Sequence, residues 1–127
     1  MTVVLLGCVG KEADVVTLPD VNEVRPREKV VVLEFRGEHD MTTKAELNGL
    51  LARLIGENDH VVVDVTEAQF IDSSFINSLL VADRLASERN KTFRLQMGTA
   101  PIVRRALEIS GILDRVSVAF NREGAIA

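Results

Sequence analysis

His60-Val61-Val62-Val63-Asp64-Val65, then Thr66-Glu67-Ala68-Gln69, then Phe70-Ile71-Asp72-Ser73-Ser74 is the stretch whose reading decides the fold. Its first part is apolar at almost every position, so it has no polar face to turn toward water and reads as a central strand. Asp72, Ser73 and Ser74 follow where that strand has ended, and they are residue types whose side-chain oxygens satisfy the free backbone donors of a helix start. A helical pattern then runs to about Arg89. At about 100° per residue, Phe75, Leu79, Ala82 and Ala86 share one face and suit a core. Ile76 and Leu80 lie well round from them, next to Asp83 and Ser87, while Asn77, Arg84 and Glu88 make the polar side.

The text on either side repeats this alternation. Downstream, Thr92 to Met97 alternates with Phe93, Leu95 and Met97 on one side, as a half-buried strand does. Thr99 is expected to cap the next helix, with Pro101 in its first turn, Val103, Ala106 and Leu107 inward and an end near Gly111. Arg115 to Phe120 closes with a strand placing Val116, Val118 and Phe120 on one face. Upstream, Val21 to Arg25 reads as a short strand ending at Pro26, Arg27-Glu28-Lys29 as a turn, and Lys29 to Phe35 as a second strand completing a hairpin. Gly37-Glu38-His39-Asp40 reads as a loop. Thr43 and Glu46 have the spacing of a capping box, Leu47, Leu50, Leu51 and Leu54 form one helical stripe, and Gly56 is placed to stop it. The order β-β-α-β-α-β-α-β predicts a single α/β domain over residues 21–127, its mixed sheet opening with a hairpin and helices packed on it. Residues 1–20 read as an N-terminal extension or an edge strand.

Composition narrows the function. The 127 residues suffice for one core, 46% of them are hydrophobic, and neither Trp nor Tyr is present, so that core is aliphatic. A net charge of -4 argues against a general nucleic-acid binder, which needs a basic face against the phosphates. The single cysteine, Cys8, forms no internal disulfide, which suits a reducing compartment. Leu5-Leu6-Gly7-Cys8 resembles the end of a lipoprotein signal, but no Lys or Arg precedes it and the apolar run is too short for a signal core. No segment approaches the roughly 20 apolar residues of a membrane span. The expectation is a cytoplasmic protein with no membrane insertion, no cofactor and no metal site, since the two histidines are not at ligand spacing.

Three motifs then carry a resemblance. Phe70-Ile71-Asp72-Ser73-Ser74 after a buried strand, Gly37-Glu38-His39-Asp40 upstream and Ala100-Pro101-Ile102-Val103-Arg104-Arg105-Ala106-Leu107-Glu108-Ile109-Ser110-Gly111 downstream resemble, in order and spacing, the signatures of the STAS family. The resemblance covers about residues 21 to 120, and it is to the anti-sigma factor antagonists of that family. It implies a non-enzymatic switch that binds an anti-sigma factor, an ATP-binding serine kinase, when unphosphorylated and is released by phosphorylation. Carried over, Ser73 is the phosphoacceptor, Asp72 and Ser74 shape its site, and Asp40 is the loop carboxylate beside it. A phosphate at Ser73 would add about -1.5 to -2 charges next to Asp72, at a helix start that tolerates it and against a partner that does not. The expected partner surface comprises Asp40, Asp72, Ser74, Phe75, Ile76, Asn77 and Leu80. Where the family reads Asp-Ser-Ser-Gly-Leu-Gly, this chain has Phe75-Ile76-Asn77, and the helical phase of Phe75 turns it inward. Monomer and homodimer are both compatible with this reading.

The competing readings rank lower. A hydrolase triad of Ser73, Asp72 and either His39 or His60 lacks the Gly-x-Ser-x-Gly elbow. A phospho-Asp receiver lacks the acidic cluster and the late Lys, and a nucleotide site lacks a Gly-rich phosphate loop. The runner-up stays within the fold: a STAS scaffold of a stress-sensing complex, or an accessory subunit of a lipid-transport ATPase, in which Ser73 is a cap and Phe75 an interface residue.

Overall fold

The computed structural model describes residues 20–39 and 41–127, the side chain of Met41 excepted. The N-terminal extension or edge strand expected over residues 1–20 lies, Asp20 excepted, outside the described residues, as do Cys8 and Asp40. Strand β1 spans Val21–Arg27 and β2 spans Val30–His39; a 3-10 turn Met41–Thr43 leads into helix α1, Lys44–Glu57. Strand β3, His60–Ile71, is followed by α2, Ser73–Glu88, then β4, Thr92–Gln96, and α3, Pro101–Ser110. A 3-10 turn Ile112–Asp114, strand β5, Ser117–Ala119, and helix α4, Arg122–Ile126, complete the chain. The five strands form one sheet in the order β1-β2-β3-β4-β5. β1 pairs antiparallel with β2, and every later pair is parallel. This is the expected mixed α/β sheet opening with a hairpin.

The hydrophobic pattern assigns the two faces. Val31, Leu33 and Phe35 of β2, Val61, Val63 and Val65 of β3, and Phe93 and Leu95 of β4 join Leu47, Leu50, Leu51, Leu54, Phe75, Leu79 and Leu107 of the helices in the main core. The alternate residues point to the other face, where Val32, Val62, Ala119 and Ala125 make a small second cluster. Helices α1, α2 and α3 therefore cover the front of the sheet, and α4 lies on its back. Gly111 ends α3 with a φ of 80°, the left-handed conformation that glycine adopts without a Cβ penalty.

Several boundaries differ from expectation, each for a local reason. β1 continues through Pro26 to Arg27, and Pro26 falls in the irregularity of its pairing with β2 between Val24 and Arg27, a place where a residue without an N–H is tolerated. The hairpin turn tightens to Glu28-Lys29, with Lys29 at φ 63°. Gly37-Glu38-His39 is strand rather than loop: it pairs with the equally unexpected extension of β3, Gly37 with Ala68, Glu38 with Phe70 and His39 with Ile71. The ladder survives there because register shifts absorb the mismatch, one of them between Gly37 and Glu38, with Gly37 at φ 75°. Thr43 is the N-cap of α1 without a side-chain capping bond, so the capping box is not formed. The N-cap of α3 is Ala100 rather than Thr99, with Pro101 in its first turn. Phe120 falls beyond the end of β5 and is 66% exposed instead of inward. Helix α4 was not expected at all.

Candidate functional site

The site forms where β3 hands the chain to α2. The backbone N–H of Asp72 donates to the carbonyl of His39 at 3.3 Å, which ties the helix start to the end of β2. Asp72 is the N-cap: its Oδ1 accepts from the N–H of Phe75 at 3.0 Å and from the Ser74 hydroxyl at 2.7 Å. The Ser78 hydroxyl donates in turn to the Ser74 carbonyl at 3.1 Å. The three polar residues are thus sorted. Asp72 and Ser74 are committed to each other and to the helix, while Ser73 is exposed in the first helical turn with no hydrogen bond from its hydroxyl among the described residues.

Phe75 sits directly beneath. It is 2% exposed, and its ring stands edge-on to Phe35 at 5.2 Å between centroids and tilted against His39 at 5.6 Å. Its phase is inward, as expected, and this corrects its place on the partner surface: the side chain lies in the core. Ile76, also expected to face a partner, is likewise buried, because it joins the same core cluster rather than spilling past it. Asn77 is exposed and Leu80 half-buried, so these two do reach the surface. Asp40 lies outside the described residues.

The histidines are not arranged for catalysis on Ser73. His39 is 6% exposed, its Nε2 meets the Arg36 carbonyl at 2.7 Å, and its ring stands edge-on to Phe35 at 5.0 Å. His60 begins β3, and Ser73 follows the end of the same strand. The hydrolase triad is therefore not assembled by His60, and His39 is a packed core side chain.

One part of the surface was legible only in fragments. A groove of about 400 Å³ runs along α2 from Asn77 past Leu80, Asp83, Arg84 and Ser87 to Arg115. Burial pushes the Asp83 carboxyl above its ordinary value, with Arg115 acting in the opposite sense. The sequence placed Leu80 beside Asp83 and Ser87, but Arg115, which comes from beyond α3, carries no local signal of this role.

Comparison with known proteins gives the same fold. A family model described as "Mlab, STAS domain" matches residues 22–118. No curated protein matches the sequence. An anti-sigma factor antagonist from Mycobacterium paratuberculosis superposes with a TM-score of 0.69 at 19% identity, covering 87% of this chain and 95% of that one. The Bacillus cell fate determinant SpoIIAA in its phosphorylated form gives 0.64 at 19% identity, over 82% of this chain and 95% of its own. A sulfate transporter family protein from Wolinella succinogenes gives 0.61 at 16% identity, over 77% and 82%. At these identities the likeness is one of fold. Among the described residues, no helix is long and apolar enough to cross a membrane.

Proposed function

Because this chain belongs to the STAS domain family, we propose that it is a non-enzymatic protein-binding switch of the anti-sigma factor antagonist kind, set by phosphorylation of Ser73. The observation that carries the reading is the sorting of the two serines. Ser73 is exposed and its hydroxyl has no hydrogen bond among the described residues, whereas Ser74 donates its hydroxyl proton to Asp72 and is held there. A kinase that approaches the start of α2 meets the exposed Ser73 hydroxyl. Its ATP gives the γ-phosphoryl group to Ser73 Oγ, the hydroxyl proton leaves to a base, and ADP is released. The phosphate then lies by the positive end of α2, which tolerates it, and beside the Asp72 carboxylate, which adds to its negative field. The contact surface of the unmodified form is built around Ser73, Asp72, Asn77 and Leu80, with Asp40 expected beside them, and its partner is an ATP-binding anti-sigma serine kinase in the cytoplasm.

A second reading is a STAS accessory or scaffold subunit that holds its partner whatever the state of Ser73. The likeness of fold to a sulfate transporter family protein, beside that to the antagonists, supports it. The two part in a pull-down from native cytoplasm with wild type, Ser73→Ala and Ser73→Asp, read by mass spectrometry. The switch requires phosphate on wild-type Ser73, retention of a serine kinase by Ser73→Ala, and at least about a tenfold weaker capture by Ser73→Asp, or 1.4 kcal/mol. Equal recovery of the same partners by all three proteins, with Ser73 never modified, gives the accessory-subunit reading instead.

A further inference from the structure

The back of the sheet takes no part in the site at Ser73, yet a dense set of side-chain hydrogen bonds crosses it. Helix α4 lies there, with Ala125 fully buried on Val32, Val62 and Ala119 and Ile126 beside them. Three guanidinium groups hold it. Arg122 of α4 reaches down to a row of acceptors on three adjacent strands: Glu34 at 2.7 Å, Asp64 at 2.8 Å and Gln96 at 3.0 Å. Arg94 of β4 donates to the carbonyls of Gly124 and Ala127 at 2.8 and 3.0 Å, and Arg27 of β1 donates to that of Ile126. These last two satisfy carbonyls that the end of a helix leaves without intrahelical partners.

His60 sits in this arrangement. It is 8% exposed, and its Nε2 is buried with no hydrogen-bond partner among the described residues. In the ladder it lies between Val30 of β2 and Thr92 of β4. The charged groups acting on its ring are Arg94 from β4 and Arg27 from β1, and α4 contributes the backbone of Ala125. Asp59, the preceding residue, is paired with Lys91 at 3.5 Å.

We propose that α4 is a latch over the back of the sheet, and that acid opens it through His60. With the latch closed, a proton on His60 would be a buried charge next to two guanidinium groups already fixed in place by the carbonyls of α4. With the latch lifted, water reaches the ring and both arginines lose their anchors. Opening is therefore coupled to uptake of a proton. The sign follows from the causes: burial first, then Arg94, hold the imidazole below its ordinary value, against a smaller opposing pull from the backbone of Ala125. The open form is favoured as pH falls below the ordinary histidine range, by up to about tenfold per pH unit for one proton. The catch stays charged meanwhile, since hydrogen bonds from Arg122 and Asn22 keep the Glu34 carboxyl below its usual range. An open latch uncovers Val32, Val62 and the two carboxylates Glu34 and Asp64.

The test is NMR on the full chain from pH 7.5 to 5.5, following backbone order at Gly124, Ala125 and Ile126 together with the ring-proton titration of His60. In wild type, α4 should lose order with the midpoint of the His60 titration while the sheet amides stay dispersed. His60→Gln should remain ordered throughout, and Arg122→Met should be disordered already at pH 7.5. The proposal is overturned if α4 of wild type stays ordered while His60 titrates, if His60→Gln opens at the same pH, or if sheet and α4 melt together. Should His60→Gln fail to fold, the coincidence or separation of the two wild-type midpoints decides.

Discussion

Replacing Phe75 by glycine, the residue type that the STAS resemblance places at that position, should lower the stability of the domain by about 4 kcal/mol. Removing a fully buried phenylalanine costs roughly 3–5 kcal/mol through lost transfer energy and the cavity left behind, and glycine in a helix adds up to about 1 kcal/mol. Two ring neighbours hold the site open: Phe35 stands on a central strand and His39 is fixed by its bond to the Arg36 carbonyl, so collapse around the gap is limited. Against a total of about 5–15 kcal/mol for a typical domain this approaches unfolding. Urea denaturation measures it. A loss below about 1.5 kcal/mol would mean that Phe75 does not occupy the place described. The substitution separates two consequences of the departure from the family pattern, because Phe75→Leu should retain much of the stability while leaving the approach to Ser73 unchanged.

The second large effect belongs to Arg122. Substitution by Met should cost about 3 kcal/mol, the lower end for stripping a buried carboxylate of its partner. Asp64 has a side chain only 8% exposed, and it lies in register with Glu34, so removal of the guanidinium leaves two like charges side by side on adjacent strands. The lower end applies because Arg122 and Glu34 are 32% and 29% exposed and water screens part of the interaction. Adding Asp64→Asn to Arg122→Met should recover part of the loss. The pH dependence has a definite sign. Glu34 has a depressed carboxyl, so its share of the stability is present above the ordinary carboxylate range and is lost as pH falls through the folded value. The gap between wild type and Arg122→Met should therefore narrow in acid, and a gap that widens there would refute the assignment.

The legibility of this chain follows the scale of the forces involved. The central strand Val61 to Val65, the α2 face of Phe75, Leu79, Ala82 and Ala86, and the turn at Gly111 were readable because burial and left-handed backbone leave marks on neighbouring residues. Ser73 was singled out because its motif resembles a family signature; its difference from Ser74 was not readable, since that rests on one hydrogen bond to Asp72. The extensions of β2 and β3 escaped because Gly37-Glu38-His39 has loop composition and is held by its partner strand. Helix α4 escaped for a related reason. Its five residues are too few to show a helical period, although Asn121, which accepts from the Gly124 N–H at 2.7 Å, is a capping signal in plain view. The Arg122 row could not be read at all, because Glu34, Asp64 and Gln96 come together only through strand pairing.

Strand β3 begins with His60 and ends immediately before the helix start that carries Ser73. At about 3.3 Å per residue this puts on the order of 35 Å between the two, with α2 packed on the front of the sheet and α4 on its back. No side chain is shared between them, and sites so far apart usually respond additively, within about 0.3–0.5 kcal/mol. A double-mutant cycle joining His60→Gln with Ser73→Asp should accordingly close with no coupling energy. One rigid strand would then be insulating two inputs from each other, leaving each free to be retuned by substitution without a penalty at the other.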